Sequence, residues 1–143
     1  MALPTRLTLE IVTPDRALLR EEVDEVVVPG GEGEFGVLPG HTPLLSMLKI
    51  GELWYRQGQE KHFLAVAFGF VEVLPDRVTV LAQVGERAQE IDVQRAERAK
   101  QRAEQRLAQP HMTQVDLDIE RARVALLKSL LRLQVASRAR TRV

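Results

Sequence analysis

The chain contains no cysteine, no glycine beyond Gly85 and no phenylalanine, tyrosine or tryptophan beyond Phe70. Without thiols there is neither a disulfide framework nor a thiolate metal site, and the redox compartment is left open. No apolar stretch approaches membrane-spanning length: the longest, Phe63 to Val71, is nine residues, where a bilayer requires ~20. Met1-Ala2-Leu3-Pro4 runs directly into strand-like sequence, so neither a signal nor a transit peptide is expected. The expectation is a soluble chain that meets a membrane only through a partner. His41, His62 and His111 fall in separate segments without HExxH-like spacing, so no metal site is expected. Neither Ser46 nor Ser137 stands in a nucleophile elbow, which argues against a free-standing enzyme.

What is present divides the chain in two. The 143 residues carry 20 basic and 20 acidic groups and no net charge. Up to Gly85, however, seven basic residues meet twelve acidic ones, and all nine glycines and six of the seven prolines lie there. From Glu86 onward thirteen basic residues meet eight acidic ones, with Pro110 as the one proline. After Glu120 no acidic residue follows, so Arg121, Arg123, Lys128, Arg132, Arg138, Arg140 and Arg142 require an anionic partner within the chain or outside it. Two modules are expected, residues 1–86 and 87–143.

The first module reads as short strands between turns. Leu7, Leu9 and Ile11 alternate with Thr8, Glu10 and Val12, and Val23 with Val26 to Val28 leads to a Pro29-Gly30-Gly31 breaker. Leu53 to Arg56 and His62 to Val66 flank the loop from Gln57 to Glu60, which predicts a hairpin. Phe70 to Leu74 and Val78 to Gln83 flank Pro75-Asp76, suited to a type I turn. Strands at this spacing with no intervening helix predict an antiparallel β sandwich or flattened barrel.

The second module changes period. Asp92 is placed to cap a helix in which Ala96, Ala99, Ala103 and Leu107 form one small-residue stripe, ended by Pro110. After a turn over Pro110 to Gln114, Asp116 or Asp118 can cap a second helix. Its apolar residues form two stripes, Ile119, Ala122, Leu126, Leu130 and Leu133, then Val124, Leu127, Leu131 and Val135. Alanines allow close helix approach, and an antiparallel α-helical hairpin follows. The second helix has more apolar surface than one partner helix covers.

Two patterns carry chemical alternatives. Residues Gly31 to Gly36 satisfy G-x-G-x-x-G, but Glu32 and Glu34 occupy the loop that would approach pyrophosphate, and Pro39, Gly40 and Pro43 follow where a helix should start. A dinucleotide site is therefore not expected. On the helices, Asp92, Arg95 and Arg102 share an arc of ~80°, and Arg121, Lys128 and Arg132 one of ~40°. Such charges are ordinarily solvated faces with i,i+4 pairs, though a closed hairpin brings two basic stripes toward one phosphate group. A nucleic-acid partner is disfavoured because every aromatic residue lies in the acidic module.

Gly33-Glu34-Phe35-Gly36-Val37-Leu38-Pro39-Gly40-His41-Thr42-Pro43-Leu44-Leu45 resembles the signature loop of the epsilon subunit of F-type ATP synthases. Ile91-Asp92-Val93-Gln94-Arg95-Ala96 is similar to the I/L-D-x-x-R-A motif that opens the C-terminal helices of bacterial members. The resemblance covers nearly the whole chain. It implies an N-terminal sandwich of about ten strands that binds the gamma subunit and c-ring, and a C-terminal two-helix domain that restrains ATP hydrolysis. It implies no catalytic residues, no required cofactor, alpha and beta catalytic subunits as further partners, and a peripheral position on the cytoplasmic face of the bacterial plasma membrane. Glu34 and His41 match positions that in the family lie towards the rotor ring. Glu86, Asp92, Arg95, Arg102, Lys128 and Arg132 match the site of members whose hairpin binds ATP, with Lys128 in place of the usual arginine, which keeps the charge and loses the bidentate fork. Arg121, Lys128 and Arg132 are the expected inhibitory contact with the catalytic head. A stand-alone ATP-sensing module is the alternative reading.

Overall fold

The computed structural model describes residues 3–109 and 116–140, and the chain divides into two compact units, Met1–Arg87 and Ala88–Val143. The first unit holds eight strands among its described residues: β1 (Leu7–Val12), β2 (Ala17–Val23), β3 (Glu25–Gly30), β4 (Gly33–Val37), β5 (Leu44–Leu48), β6 (Gly51–Gln57), β7 (Glu60–Leu74) and β8 (Arg77–Arg87). They follow the order β2-β1-β8-β7-β5-β3-β4, with β6 pairing to both β3 and β7. The β1–β8 pairing is parallel, and the other pairings are antiparallel. The inward positions of all eight strands meet in one core, built from Leu7, Leu9, Ile11, Val26, Leu53 and Val80 among others.

The structure redraws two of the expected segments. The Pro29-Gly30 pair does not break β3; Pro29 pairs opposite Glu34, and its carbonyl accepts from Lys49 N at 2.9 Å. A proline only removes a donor, so its carbonyl still serves the sheet. The strands expected over His62 to Val66 and Phe70 to Leu74 are one strand, β7, whose first half pairs with β6 and whose second half pairs with β5. With β8 it spans both sides of a bend, and counting these halves separately gives ten strands.

That bend sits at Phe68 and Gly69, whose φ angles are 62° and 130°. Two successive residues with positive φ turn the strand over, so that Leu64 and Val66 face the core before the bend and Val71 and Val73 after it. Phe70 is thereby sent to the outer surface. A Cβ at Gly69 would overlap the Leu81 carbonyl oxygen, so β7 and β8 approach here only because position 69 has no side chain.

A polar latch closes the link between β2 and β3 onto the β6–β7 turn. Asp24 accepts a hydrogen bond from Gly58 N at 2.6 Å and lies 3.4 Å from Arg6 Nε and 3.9 Å from Arg56 Nη1. The Gly58 amide, followed by the two guanidinium charges, holds the Asp24 carboxyl below its ordinary value of 3.8 despite some desolvation. Arg87 at the end of β8 donates to the Leu18 carbonyl at 2.7 Å and fastens the last residue of the sandwich.

Gly69→Ala is expected to destabilise the sandwich by about 3 kcal/mol or more, because the clash is with backbone and cannot be relieved by a rotamer change. Gly58→Ala, at φ 62° with open space around it, should cost only about 1 kcal/mol. Guanidinium denaturation of the two variants checks this, and equal midpoints would contradict it.

Candidate functional site

The second unit begins with a 3-10 turn, Ala88–Glu90, followed by α1 (Val93–Ala108) and α2 (Asp116–Arg140). Asp92 is the N-cap of α1, with extended backbone and a carboxylate that accepts from Arg95 N at 3.0 Å. It satisfies one of the four amides that a helix start leaves without partners. The residues on either side of the first turn, Ile91 and Ala96, are both buried, the arrangement of a hydrophobic staple. The Ile91-to-Ala96 motif is thus a helix-start device as it stands. At the other end Gln109 leaves the helix with ψ 149°, as a residue preceding proline must. The expected turn over Pro110 to Gln114 and the third histidine, His111, lie outside the described residues. Asp118 lies inside the first turn of α2 rather than ahead of it, since the helix already runs from Asp116.

The helices pack along a seam of small residues. Ala96 and Ala103 on α1, and Ala122, Ser129 and Ala136 on α2, recur every seven positions and are all buried. Seven residues are nearly two helical turns, so each set forms one line down its helix. Ser129 is 1% exposed and donates its hydroxyl to the Ala125 carbonyl at 2.7 Å, so its burial leaves no donor unsatisfied.

Beside this seam lies a groove of about 410 Å³, lined by Ala99 from α1 and by Glu120, Arg121, Val124, Ala125, Lys128, Ser129 and Arg132 from α2. The three cations expected on one face of the second helix do stand together there. Arg95 and Arg102 do not line the groove; on the helical wheel they sit ~40–60° from Ala99, on its flank, and both are exposed. Asp92 is engaged as the helix cap. Glu86 belongs to the other unit, on β8 opposite Ala65. Sequence reasoning missed Glu120, which brings a carboxylate to the groove and lies 3.8 Å from Arg123. Helical spacing alone held the signal, since Glu120 is one turn from Val124 and adjoins Arg121.

The sandwich offers a second surface. Met47 pairs with Phe70, and Phe70 with Leu81, so three large apolar side chains stand abreast on three neighbouring strands. They are 64%, 52% and 52% exposed, and Leu45, two residues before Met47 on the same face, is 71% exposed. Glu34 is exposed on β4. His41 stands apart from it in the loop after β4, where its Nδ1 lies 2.6 Å from the Thr42 carbonyl. The same loop is tied to the β7–β8 turn by Gly40 N donating to the Pro75 carbonyl at 2.7 Å. Among the described residues no group of three His, Cys, Asp or Glu side chains is placed to hold a metal ion, and no helix is long and apolar enough to cross a membrane.

Comparison with known proteins matches the two units separately. Residues 6–88 match the family described as ATP synthase, Delta/Epsilon chain, beta-sandwich domain, and residues 89–137 match ATP synthase, Delta/Epsilon chain, long alpha-helix domain. The ATP synthase epsilon chain of Syntrophobacter fumaroxidans is 53% identical over 133 residues, covering 93% of this chain and 97% of its own. That of Nitratidesulfovibrio vulgaris is 52% identical with the same coverage. Among solved structures, a chain of the Euglena gracilis mitochondrial ATP synthase has the same fold, at 21% identity and a TM-score of 0.68 over 98% of this chain and 82% of that one. A chain of the central stalk and c-ring assembly of the Tetrahymena thermophila mitochondrial enzyme is similar in fold at 14% identity and a TM-score of 0.55, covering 98% of this chain and all of that one.

The seam makes a sharp demand on residue size. Ser129→Leu adds two heavy atoms and a branch where the helices are in contact and should lower the thermal stability of the helical unit by about 1–3 kcal/mol, while Ser129→Ala should change it by less than about 1 kcal/mol. Amide hydrogen exchange over α1 and α2 reads the difference locally. Equal protection in both variants would show that the seam is not close-packed.

Proposed function

This chain belongs to the ATP synthase delta/epsilon family, as a non-catalytic epsilon chain, and from that premise we propose that it fastens the gamma shaft to the c-ring and restrains ATP hydrolysis through its hairpin. The observation that supports the first part is the apolar row of Leu45, Met47, Phe70 and Leu81. A monomer seldom leaves such side chains side by side in water, and a contiguous exposed patch marks an interaction surface. Phe70 and Leu81 stand on β7 and β8, which share the longest pairing of the sandwich. A close-packed core resists deformation, so force applied to the row is passed on rather than absorbed.

Docking of the gamma subunit on this row, and of the ring on the loop that holds His41 and on Glu34, gives the sandwich a partner at each surface described. The alpha and beta catalytic subunits are the partners proposed for the hairpin. Arg121, Lys128 and Arg132 line one groove, and Leu127 and Leu130 on α2 remain exposed. An α2 with apolar residues on nearly every side suits a helix that is enclosed by protein in one of its states. The complex is membrane-associated, and we place the chain on its cytoplasmic side, held there by its partners.

A second reading, ATP as a regulatory ligand of the hairpin, is favoured by the groove itself. Apolar Ala99, Val124 and Ala125 can accept a flat ring while Arg121, Lys128 and Arg132 face phosphate oxygens. Arg95 and Arg102 flank it, whereas Asp92 supports the site by holding the start of α1. No cofactor is needed for the structural role.

Two measurements test the main reading. Met47→Asp combined with Phe70→Asp should reduce binding to the gamma and c-ring subcomplex by about a hundredfold or more, since two buried unpaired carboxylates replace apolar contacts. The fold should survive, because both positions are on the outer face. Truncation after Met112 should leave the reconstituted enzyme coupled and raise its steady-state ATP hydrolysis, and alanine at Arg121, Lys128 and Arg132 together should do the same. Parental hydrolysis rates in both, at low and high salt, would leave the chain a structural part alone.

A further inference from the structure

The 20 basic residues include four lysines, Lys49, Lys61, Lys100 and Lys128. A lysine amine can be acylated and so lose its charge, whereas an arginine guanidinium keeps its charge throughout. The four lysines differ in setting. Lys61 lies over the Trp54 ring, 4.3 Å from its centroid, Lys100 faces Glu104 at 4.0 Å, and Lys49 is exposed in the link between β5 and β6. Lys128 lines the groove of the helical unit together with Arg121 and Arg132.

Helical spacing sets what these three cations can hold. Arg132 is one turn beyond Lys128, a rise of about 6 Å, and Arg121 is two turns before it, about 10 Å. Helical side chains lean toward the N-terminus, which carries the Arg132 guanidinium toward Lys128 and the Lys128 amine toward Val124. Lys128 and Arg132 are half-buried, and Arg121 is exposed. Beside them lie the apolar Ala99, Val124 and Ala125. The hydroxyl of Ser129 does not compete with the amine as a nucleophile, because it is buried and donates to the Ala125 carbonyl at 2.7 Å. The one carboxylate of the lining, Glu120, begins about 12 Å from Lys128 along the axis and lies 3.8 Å from Arg123.

We propose that Lys128 is an acylation site whose donor is an acyl phosphate, docked by its phosphate on Arg121 and Arg132 and by its acyl group on Ala99, Val124 and Ala125. Guanidinium groups hold a phosphate in paired hydrogen bonds, and the apolar side chains accept the acyl chain. In the step, Nζ gives one proton to water and attacks the acyl carbon. The bond from that carbon to the phosphate oxygen breaks and its electron pair leaves with the phosphate, while a second Nζ proton passes to the departing oxygen. The products are a neutral amide and hydrogen phosphate. The groove thereby loses one of its three cations. On the hairpin reading above, on which this consequence rests, acylation weakens the hold of α2 on the catalytic head, so the supply of an activated acyl donor sets the restraint on hydrolysis.

The test treats the full chain with acetyl phosphate and, separately, with acetic anhydride, and follows each lysine by peptide mass spectrometry. With acetyl phosphate, Lys128 should be modified at least about tenfold faster than Lys49, because docking holds the donor against the amine. With the anhydride, which carries no phosphate, the two rates should be similar. Inorganic phosphate should slow only Lys128, and Arg121→Ala combined with Arg132→Ala should bring Lys128 down to the rate of Lys49. Equal rates with acetyl phosphate, the same preference for Lys128 with the anhydride, or unchanged selectivity in the double variant would each overturn the site. In the reconstituted enzyme, the acylated chain and Lys128→Gln should both raise ATP hydrolysis, whereas Lys128→Arg should hydrolyse at one rate before and after acetyl phosphate. Selective acylation that leaves hydrolysis unchanged would overturn the regulatory consequence. If the triple alanine variant then also hydrolyses at the parental rate, the hairpin reading falls while the acylation site stands.

Discussion

The missing side chain at Gly69 is the constraint on which the sandwich depends. β7 and β8 lie at the centre of the strand order, and they can touch at Leu81 only because position 69 is bare. The positive φ angles at Phe68 and Gly69 then reverse which residues face inward. Val71 and Val73 join the core while Phe70, between Gly69 and Val71, is turned to the surface beside Met47 and Leu81. One backbone event therefore adds Val71 and Val73 to the core and Phe70 to the outer apolar row. A residue with a left-handed backbone and a bulky side chain is strained by about 1–3 kcal/mol, and Phe68 is held there because the pairing on both sides of it is continuous.

This event was hidden in the sequence, where Phe63 to Val71 reads as one uninterrupted apolar run without alternation. Periodicity assigns faces only while the parity holds, and here it changes in mid-strand. The reading therefore found two strands where one bent strand exists, and did not distinguish Phe70 from the core. The class of fold was legible because turn residues and alternation are local: Pro75-Asp76 and Gly58 mark turns that the structure shows. The hairpin was legible because alanines at helical spacing admit few other packings. Glu86, by contrast, matched a site by sequence position and lies on a strand of the other unit, since linear adjacency to the Ile91-to-Ala96 motif says nothing of which unit holds the residue. Asp92 matched the same site and is occupied in capping α1, a role that its place before a helical period already indicated.

The helical unit is held by a different principle. Its seam is made of alanines and one serine, each alanine methyl contributing on the order of 0.8 kcal/mol by burial, so close approach is obtained without a large apolar area. Of the larger side chains of α2, Val135 is buried, whereas Leu127 and Leu130 are left at the surface. A seam of this kind brings two helices into register yet separates at modest cost, because little is lost that a new partner for the leucines cannot replace. A ligand that binds only the closed pair at ten times its Kd adds about 1.4 kcal/mol, comparable to the burial of two such methyls. On a leucine-packed interface that increment would be lost in the total. Against a seam of small side chains the same increment would be a large share of the total, because so little apolar area is buried between α1 and α2 there.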